Sequence, residues 1–229
     1  MNHKNSILIV GASRGLGLAL AEEFCTRGWH VIATVRSPSP ALADLKKRFP
    51  ATLQEEQVDI ANEASVRALR DRLDGHRLDM LFVNAGIAKS ITSSASTAPE
   101  RDFVDMMLVN AFSPMRFIEL FESLVAPHGT IGAMSSELGS ITNNGGFWDL
   151  YASTKAALNM LMKCFASRRP DDRRAILVVA PGWIKTDMGG DEATYTIEET
   201  IPLLVDMLEK NHGRPGLRYV DRFDNTLPW

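Results

Sequence analysis

Tyr151 and Lys155 stand four residues apart in Tyr151-Ala-Ser-Thr-Lys155, so on a helix their side chains share one face. A phenol titrates at about 10 in water. An ammonium held beside it favours the phenolate and draws the group toward the neutral range, where it can act as an acid or a base. The same spacing occurs on ordinary surface helices, so its meaning depends on what surrounds it. Asn110 lies inside a helical stretch, where an asparagine is mildly unfavourable unless its side chain is employed. Ser135 and Ser136 close a short apolar run, and Asn84-Ala85-Gly86 closes another. Small residues there leave room for a ligand against the carboxyl end of a strand.

A second group of residues has the chemistry to hold a phosphate. Gly11-Ala-Ser-Arg-Gly15-Leu-Gly17 follows the apolar run Ser6–Val10 and opens a helical pattern over 18–27. Gly28 ends that pattern, and His30–Val35 reads as a second strand. Strand, glycine turn, helix and strand form a βαβ unit. Its helix offers free N–H groups and the positive end of its dipole to an anion. The glycines let the backbone approach a pyrophosphate and let the helix pack on the strand. The spacing is G-x-x-x-G-x-G rather than the commoner G-x-G-x-x-G, and its context favours nucleotide binding over a plain tight turn. Gly11, Ser13, Arg14, Gly15, Leu16 and Gly17 are the expected contacts. The second strand ends Ala33-Thr34-Val35-Arg36, with no carboxylate to receive a ribose 2′-hydroxyl. Arg14 and Arg36 suit a 2′-phosphate instead, since a guanidinium pairs bidentately with phosphate. NADP(H) is therefore favoured over NAD(H).

The elements that must position these groups alternate along the chain. Helical patterns cover 41–49, 63–73, 101–124 and 197–210, and another runs from Tyr151 through 156–167. Strand-like runs cover 52–58, 80–83, 129–134, Ala175–Ala180 and 216–220. Asp59 follows one of them; Asp59 and Ile60 are candidate adenine contacts, and Asp59 could equally cap the next helix. Residues 89–99 and 139–149 read as loops, and Pro181-Gly182 opens a turn whose far end is glycine-rich. With no repeat and no linker, this alternation predicts a single-domain α/β, doubly wound Rossmann fold over residues 1–229. About seven parallel strands with helices on both faces are expected.

Composition removes several classes of function. The 229 residues are 45% apolar and 23% charged with a formal charge of -3, which leaves no footprint for nucleic acid. No apolar run approaches the roughly 20 residues that span a bilayer, and the run before Gly11 is too short for a signal peptide. Cys25 and Cys164 fall in helical segments and read as packing thiols, without a disulfide framework or a metal site. A cytoplasmic, metal-free protein is expected.

Taken in order, the chain resembles the short-chain dehydrogenase/reductase family over essentially its whole length. The likeness is carried by Gly11/Gly15/Gly17, Asp59, Asn84-Ala85-Gly86, Asn110, Ser136, Tyr151/Lys155, Pro181-Gly182 and Thr186. More narrowly, Ser135-Ser-Glu-Leu-Gly-Ser-Ile141, Ser153-Thr-Lys-Ala-Ala-Leu-Asn-Met160, Pro181-Gly-Trp-Ile-Lys-Thr-Asp-Met-Gly-Gly190 and Leu227-Pro-Trp229 are similar to its C-factor and sniffer-type carbonyl reductase branch. The resemblance implies that Tyr151 protonates a developing alkoxide as hydride arrives from a nicotinamide. Lys155 would lower the tyrosine's pKa and bond the nicotinamide ribose. Ser136 would polarise the carbonyl, and Asn110 would hold a water connecting Lys155 to solvent. Ile184 and Thr186 would hold the carboxamide and fix which hydride face is presented, with Pro181 and Gly182 among the cofactor contacts. One oxyanion donor, one acid and a redox cofactor make a chemically consistent set. The interval from Ser136 to Tyr151 is longer than the commonest family spacing, with the surplus in Asn143-Asn144-Gly145-Gly146, which keeps Ser135 as a second candidate. The short segment after Thr186 leaves little chain for a lid and points to an open site.

The expected activity is NADP(H)-dependent hydride transfer to or from a small carbonyl or alcohol. The alternative is a cofactor-binding signalling or regulatory protein of C-factor type whose catalysis is incidental. Many relatives pair through the helices that correspond to 101–124 and 151–167, so the resemblance implies a homodimer. Met106, Met107, Phe117, Phe121, Met160, Met162 and Phe165 are the apolar residues there, and their other reading is core against the sheet.

Overall fold

A computed structural model describes residues 5–229; residues 1–4, part of the segment read for a signal peptide, lie outside it. Its strands are β1 (Ser6–Val10), β2 (His30–Val35), β3 (Leu53–Gln57), β4 (Leu78–Val83), β5 (Val125–Met134), β6 (Ala175–Ala180) and β7 (Gly216–Asp221). They form one parallel sheet in the order β3-β2-β1-β4-β5-β6-β7. The winding direction reverses between β1 and β4, and the crevice at their carboxyl ends is where open α/β sheets take ligands.

Among the described residues seven α-helices cover the two faces: α1 (Gly15–Thr26), α2 (Pro40–Arg48), α3 (Glu63–Arg72), α4 (Glu100–Met107), α5 (Ser113–Phe121), α6 (Asp149–Ser167) and α7 (Ile197–Asn211). Strand side chains alternate between faces, so β1 sends Ile7 and Ile9 to a core shared with α1, α2 and α7. Leu8 and Val10 enter the other core, with α3, α5 and α6. Each fully buried Ile or Leu contributes about 1.5–3 kcal/mol. Four consecutive buried apolar residues after Ser6 therefore commit β1 to the covered middle of the sheet. β3, Leu-Gln-Glu-Glu-Gln, is mostly polar and lies at the edge.

Four expectations need correction. The stretch 101–124 is not one helix: α4 passes into a π-helical turn at Leu108–Phe112, then α5, then a 3₁₀ turn at Glu122–Leu124. The cause is Pro114. It has no N–H to give the carbonyl of Asn110, four residues back, and a π turn absorbs the surplus residue. Among the seven apolar residues named on these helices, Met106, Phe117, Phe121, Met162 and Phe165 are core and only Met160 is exposed. The exposed apolar face is instead Val104, Leu108, Phe112, Met160 and Leu161. Cys25 packs in the core as expected, with burial pushing its thiol up to about 11, whereas Cys164 is exposed. Asn62, not Asp59, caps α3 by accepting from the Ser65 N–H at 3.0 Å.

Candidate active site

The glycine turn after β1 is held from two sides. Asn84, at the end of β4, donates its side-chain N–H to the Gly11 carbonyl at 2.8 Å, and the Gly11 N–H donates to the Thr34 hydroxyl at 3.1 Å. A Cβ on Gly17 would stand 2.0 Å from the Gly11 carbonyl oxygen, so no other residue fits where α1 meets the turn. The first turn of α1 has neither a side-chain cap nor an acid. Its N–H groups are therefore left to an anion, which fits a pyrophosphate. Ser39, which sequence reasoning missed, caps α2 and donates to the Ser13 carbonyl at 2.7 Å. The Ser39-Pro40 pair, a cap followed by a first-turn proline, was the available signal. The Arg14 guanidinium pairs with Asp187 across the mouth of the cleft. That of Arg36 has no partner among the described residues, and its backbone carbonyl accepts from Gln57. Asp59 turns its carboxylate onto the Ala61 N–H at 3.0 Å.

α6 begins two residues before Tyr151 and puts Tyr151 and Lys155 on its buried side. Lys155 donates to the Met134 carbonyl at 2.9 Å, and its Nζ lies 5.7 Å from the centre of the Tyr151 ring. The carboxamide of Asn110 is fully buried and employed. It accepts from the Ile87 N–H at 2.8 Å and donates to the Ile87 carbonyl at 2.8 Å and the Thr154 hydroxyl at 3.0 Å. A Cβ on Gly86 would be 3.4 Å from Asn110 Oδ1 and 3.5 Å from Lys155 Nζ, so these three residues meet at one point.

The two serines are sorted by their partners. Ser135 donates its hydroxyl to Asn159 at 2.6 Å, and Asn159 donates onward to the Gly139 carbonyl at 3.1 Å. Ser136 accepts from the Leu138 N–H at 3.2 Å with its hydroxyl, which keeps its own proton free to donate. The Ser136 carbonyl is held by the Tyr219 hydroxyl at 2.5 Å, a contact that a residue in β7 gives no sequence signal for.

Burial governs the titration of the tyrosine and lysine. It pushes the Tyr151 phenol above its ordinary value and draws Lys155 down to about 8. The phenol is thus not lowered, contrary to the sequence-based expectation. Desolvation disfavours charge on both groups, and the ammonium sits over the ring with a hydrogen bond directed at Met134.

Beyond β6, Thr186 accepts from the Gly189 N–H at 3.1 Å and donates to the Ile184 carbonyl at 3.3 Å, which folds the turn back on itself. Gly182 has φ +95, and a Cβ there would strike Arg222 at 2.4 Å. The buried Arg222 donates to the Pro181 carbonyl at 3.1 Å and stacks on Tyr195 at 3.8 Å.

The residues singled out from the sequence converge on one cleft of about 760 Å³. Gly11, Ser13, Arg14, Gly15, Leu16, Arg36, Asp59, Ile60, Asn84, Ala85 and Gly86 line it, as do Ser136, Tyr151, Lys155, Pro181, Gly182, Ile184 and Thr186. Gly17 and Asn110 stand behind the lining. Among the described residues no cluster of His, Cys, Asp and Glu could hold a metal ion, and no helix is long and apolar enough to cross a membrane.

A parallel sheet with this winding, a glycine turn and a Tyr–Lys pair on the facing helix define a nucleotide-dependent oxidoreductase scaffold. The family model for short chain dehydrogenase matches residues 5–195. The chain therefore belongs to the short-chain dehydrogenase/reductase family. It is 44% identical to a short-chain dehydrogenase/reductase of Burkholderia multivorans solved with bound NADP, with a TM-score of 0.97 over 99% of this chain and 100% of that one. A carbonyl reductase of Pseudomonas aeruginosa PAO1 in complex with NADP is 33% identical, with a TM-score of 0.92 over 99% and 100%. The carbonyl reductase Sniffer of D. melanogaster is 28% identical, with a TM-score of 0.85 over the same shares.

Proposed function

We propose that the protein is an NADP(H)-dependent carbonyl reductase acting on a small aldehyde or ketone, or in reverse on the alcohol, with residues 1–229 serving as one dinucleotide-binding domain. One observation carries the reading: Tyr151, Lys155 and Ser136 share a single cleft with the uncapped start of α1. The Arg36 guanidinium, without a partner among the described residues, and the NADP bound in the Burkholderia and Pseudomonas relatives support the phosphorylated cofactor.

When bound, the nicotinamide supplies or accepts the hydride. Ser136 donates its hydroxyl proton in a hydrogen bond to the carbonyl oxygen and stabilises charge developing there. Tyr151, kept neutral by burial, transfers its proton to that oxygen, so the phenol O–H breaks as the alcohol O–H forms. Lys155, still charged at neutral pH with its pKa about 8, stabilises the phenolate left behind. Pro114 cannot give the Asn110 carbonyl an α-helical N–H, which suits that carbonyl to hold a water that would reach Lys155 and return the proton. Pro181, Gly182, Ile184 and Thr186, which line the same cleft, would hold the carboxamide end.

Tyr151→Phe tests the mechanism: NADPH binding should persist while kcat falls by about 10²- to 10⁴-fold, and unchanged turnover would remove Tyr151 from the reaction. Native protein that binds NADPH but turns over no carbonyl or alcohol would favour the C-factor-type signalling reading. The exposed face of Val104, Leu108, Phe112, Met160 and Leu161 supports a homodimer. Gel filtration showing a monomer at high concentration would reject it.

A further inference from the structure

We infer that the substrate end of the cleft is a slot for flat, uncharged aromatic carbonyl compounds, a conclusion that rests on the reductase reading and narrows it. Phe147, Trp148 and Trp183 line the cleft beside Tyr151. Trp148 meets Tyr151 edge to face with ring centroids 5.7 Å apart. Phe147 lies nearly parallel to Trp148 at 5.8 Å and 15°, and Trp183 stands across Phe147 at 6.5 Å. Phe147 and Trp183 still leave 54% and 40% of their surfaces open. Aromatic surface of this extent beside the reacting groups gains most when another ring covers it.

The walls of the slot are fixed before a ligand arrives. Asn144 accepts from the N–H groups of Gly146 and Phe147 at 2.7 and 3.1 Å and donates to the Leu138 carbonyl at 2.9 Å. The Trp183 indole donates to the Gly189 carbonyl at 2.9 Å. Trp148 adopts φ 51 and ψ 49, a left-handed conformation that costs a tryptophan on the order of 1–3 kcal/mol. Such strain persists only where the surroundings impose it, so the position of the Trp148 ring against Tyr151 is set by the fold. Pre-placed rings lose little freedom on binding and favour a ligand of matching flatness.

Charge narrows the class further. Arg14 and Arg36 belong to the cofactor end, and Lys155 is buried and directed at Met134. Glu137 also lines the cleft, so a carboxylate on the substrate would meet an acid and, among the described lining residues away from the cofactor end, no free cation.

The test compares benzaldehyde with cyclohexanecarbaldehyde, equal in ring size but flat against puckered, using NADPH. Conjugation makes benzaldehyde the less electrophilic of the two, so reactivity alone predicts the opposite order. Native protein should favour benzaldehyde by about tenfold in kcat/KM. Phe147→Ala and Trp183→Leu should each reduce that ratio, with NADPH binding serving as the check that the variants are folded. A second readout needs no turnover: calorimetry with benzamide and cyclohexanecarboxamide in the presence of NADPH should show the same preference. Equal efficiency and equal binding within each pair would overturn the slot and leave the reductase reading intact. Amide discrimination without reduction of any aldehyde would keep the slot and remove the reductase.

Discussion

Around Tyr151 the polar side chains are buried and tied to backbone or to one another: Asn110 to Ile87 and Thr154, Lys155 to Met134, Ser135 to Asn159. At the other end of the same cleft Arg14 stands in solvent, its side chain 75% exposed, and Arg36 is free of partners among the described residues. The comparison separates two jobs. The groups that surround the proposed acid are held by directional bonds in a dry setting, where each bond is stronger and each unmade one more costly. A group proposed to hold a phosphate can stay solvated until the ligand arrives, because a guanidinium is always charged and makes its bidentate bonds only with the phosphate in place.

Breaking the buried end should have the largest effect. Asn110→Ala leaves the Ile87 N–H and carbonyl without partners, for a loss of about 2–3 kcal/mol and a Tm lower by roughly 5–10 °C. A melting curve that matches the native one would show that the clamp on Ile87 is dispensable. Next comes pH. Lys155 loses its charge as pH rises through about 8, while burial keeps the Tyr151 phenol protonated to higher pH. Carbonyl reduction should therefore decline above about pH 8, and a rate profile flat to pH 10 would contradict that assignment.

The exposed end should respond more selectively. Arg36→Ala should raise the Kd for NADPH by about tenfold or more and leave that for NADH unchanged, given the strength of a charged hydrogen bond. Equal losses for both cofactors would mean that Arg36 does not meet the 2′-phosphate. The smallest effect is expected from Asp187→Asn. The Arg14–Asp187 pair is solvent-exposed on both sides, so its removal should shift stability by less than about 1 kcal/mol in denaturant unfolding.

The parallel Rossmann architecture was legible because its signals are local. Apolar strands such as Ser6–Val10, the glycine turn and the i,i+4 placement of Tyr151 and Lys155 need only a short window of sequence. The features that escaped depend on residues far apart in the chain. Tyr219 holding Ser136, Asn84 holding Gly11 and Arg222 under Gly182 are contacts between separate strands and loops. The direction of the Tyr151 shift failed for the same reason: spacing shows that an ammonium is near, but not how dry the pair becomes. The break in the 101–124 helix was accessible in principle, since Pro114 is visible in the sequence. Apolar periodicity continues on both sides of it and masked the interruption.

The π turn at Leu108–Phe112 amounts to an α-helix carrying one supernumerary residue. Excising a single position there would remove that surplus residue, with Pro114 still unable to donate to the turn before it. Because each residue of an α-helix turns the chain by about 100°, everything on one side would rotate by more than a quarter of a revolution relative to the other. Asn110 would then lose its line of sight to Ile87 and Thr154 while the core packing of α5 was also thrown out of phase. The length of this segment is accordingly under tighter geometric constraint than most of its individual side chains.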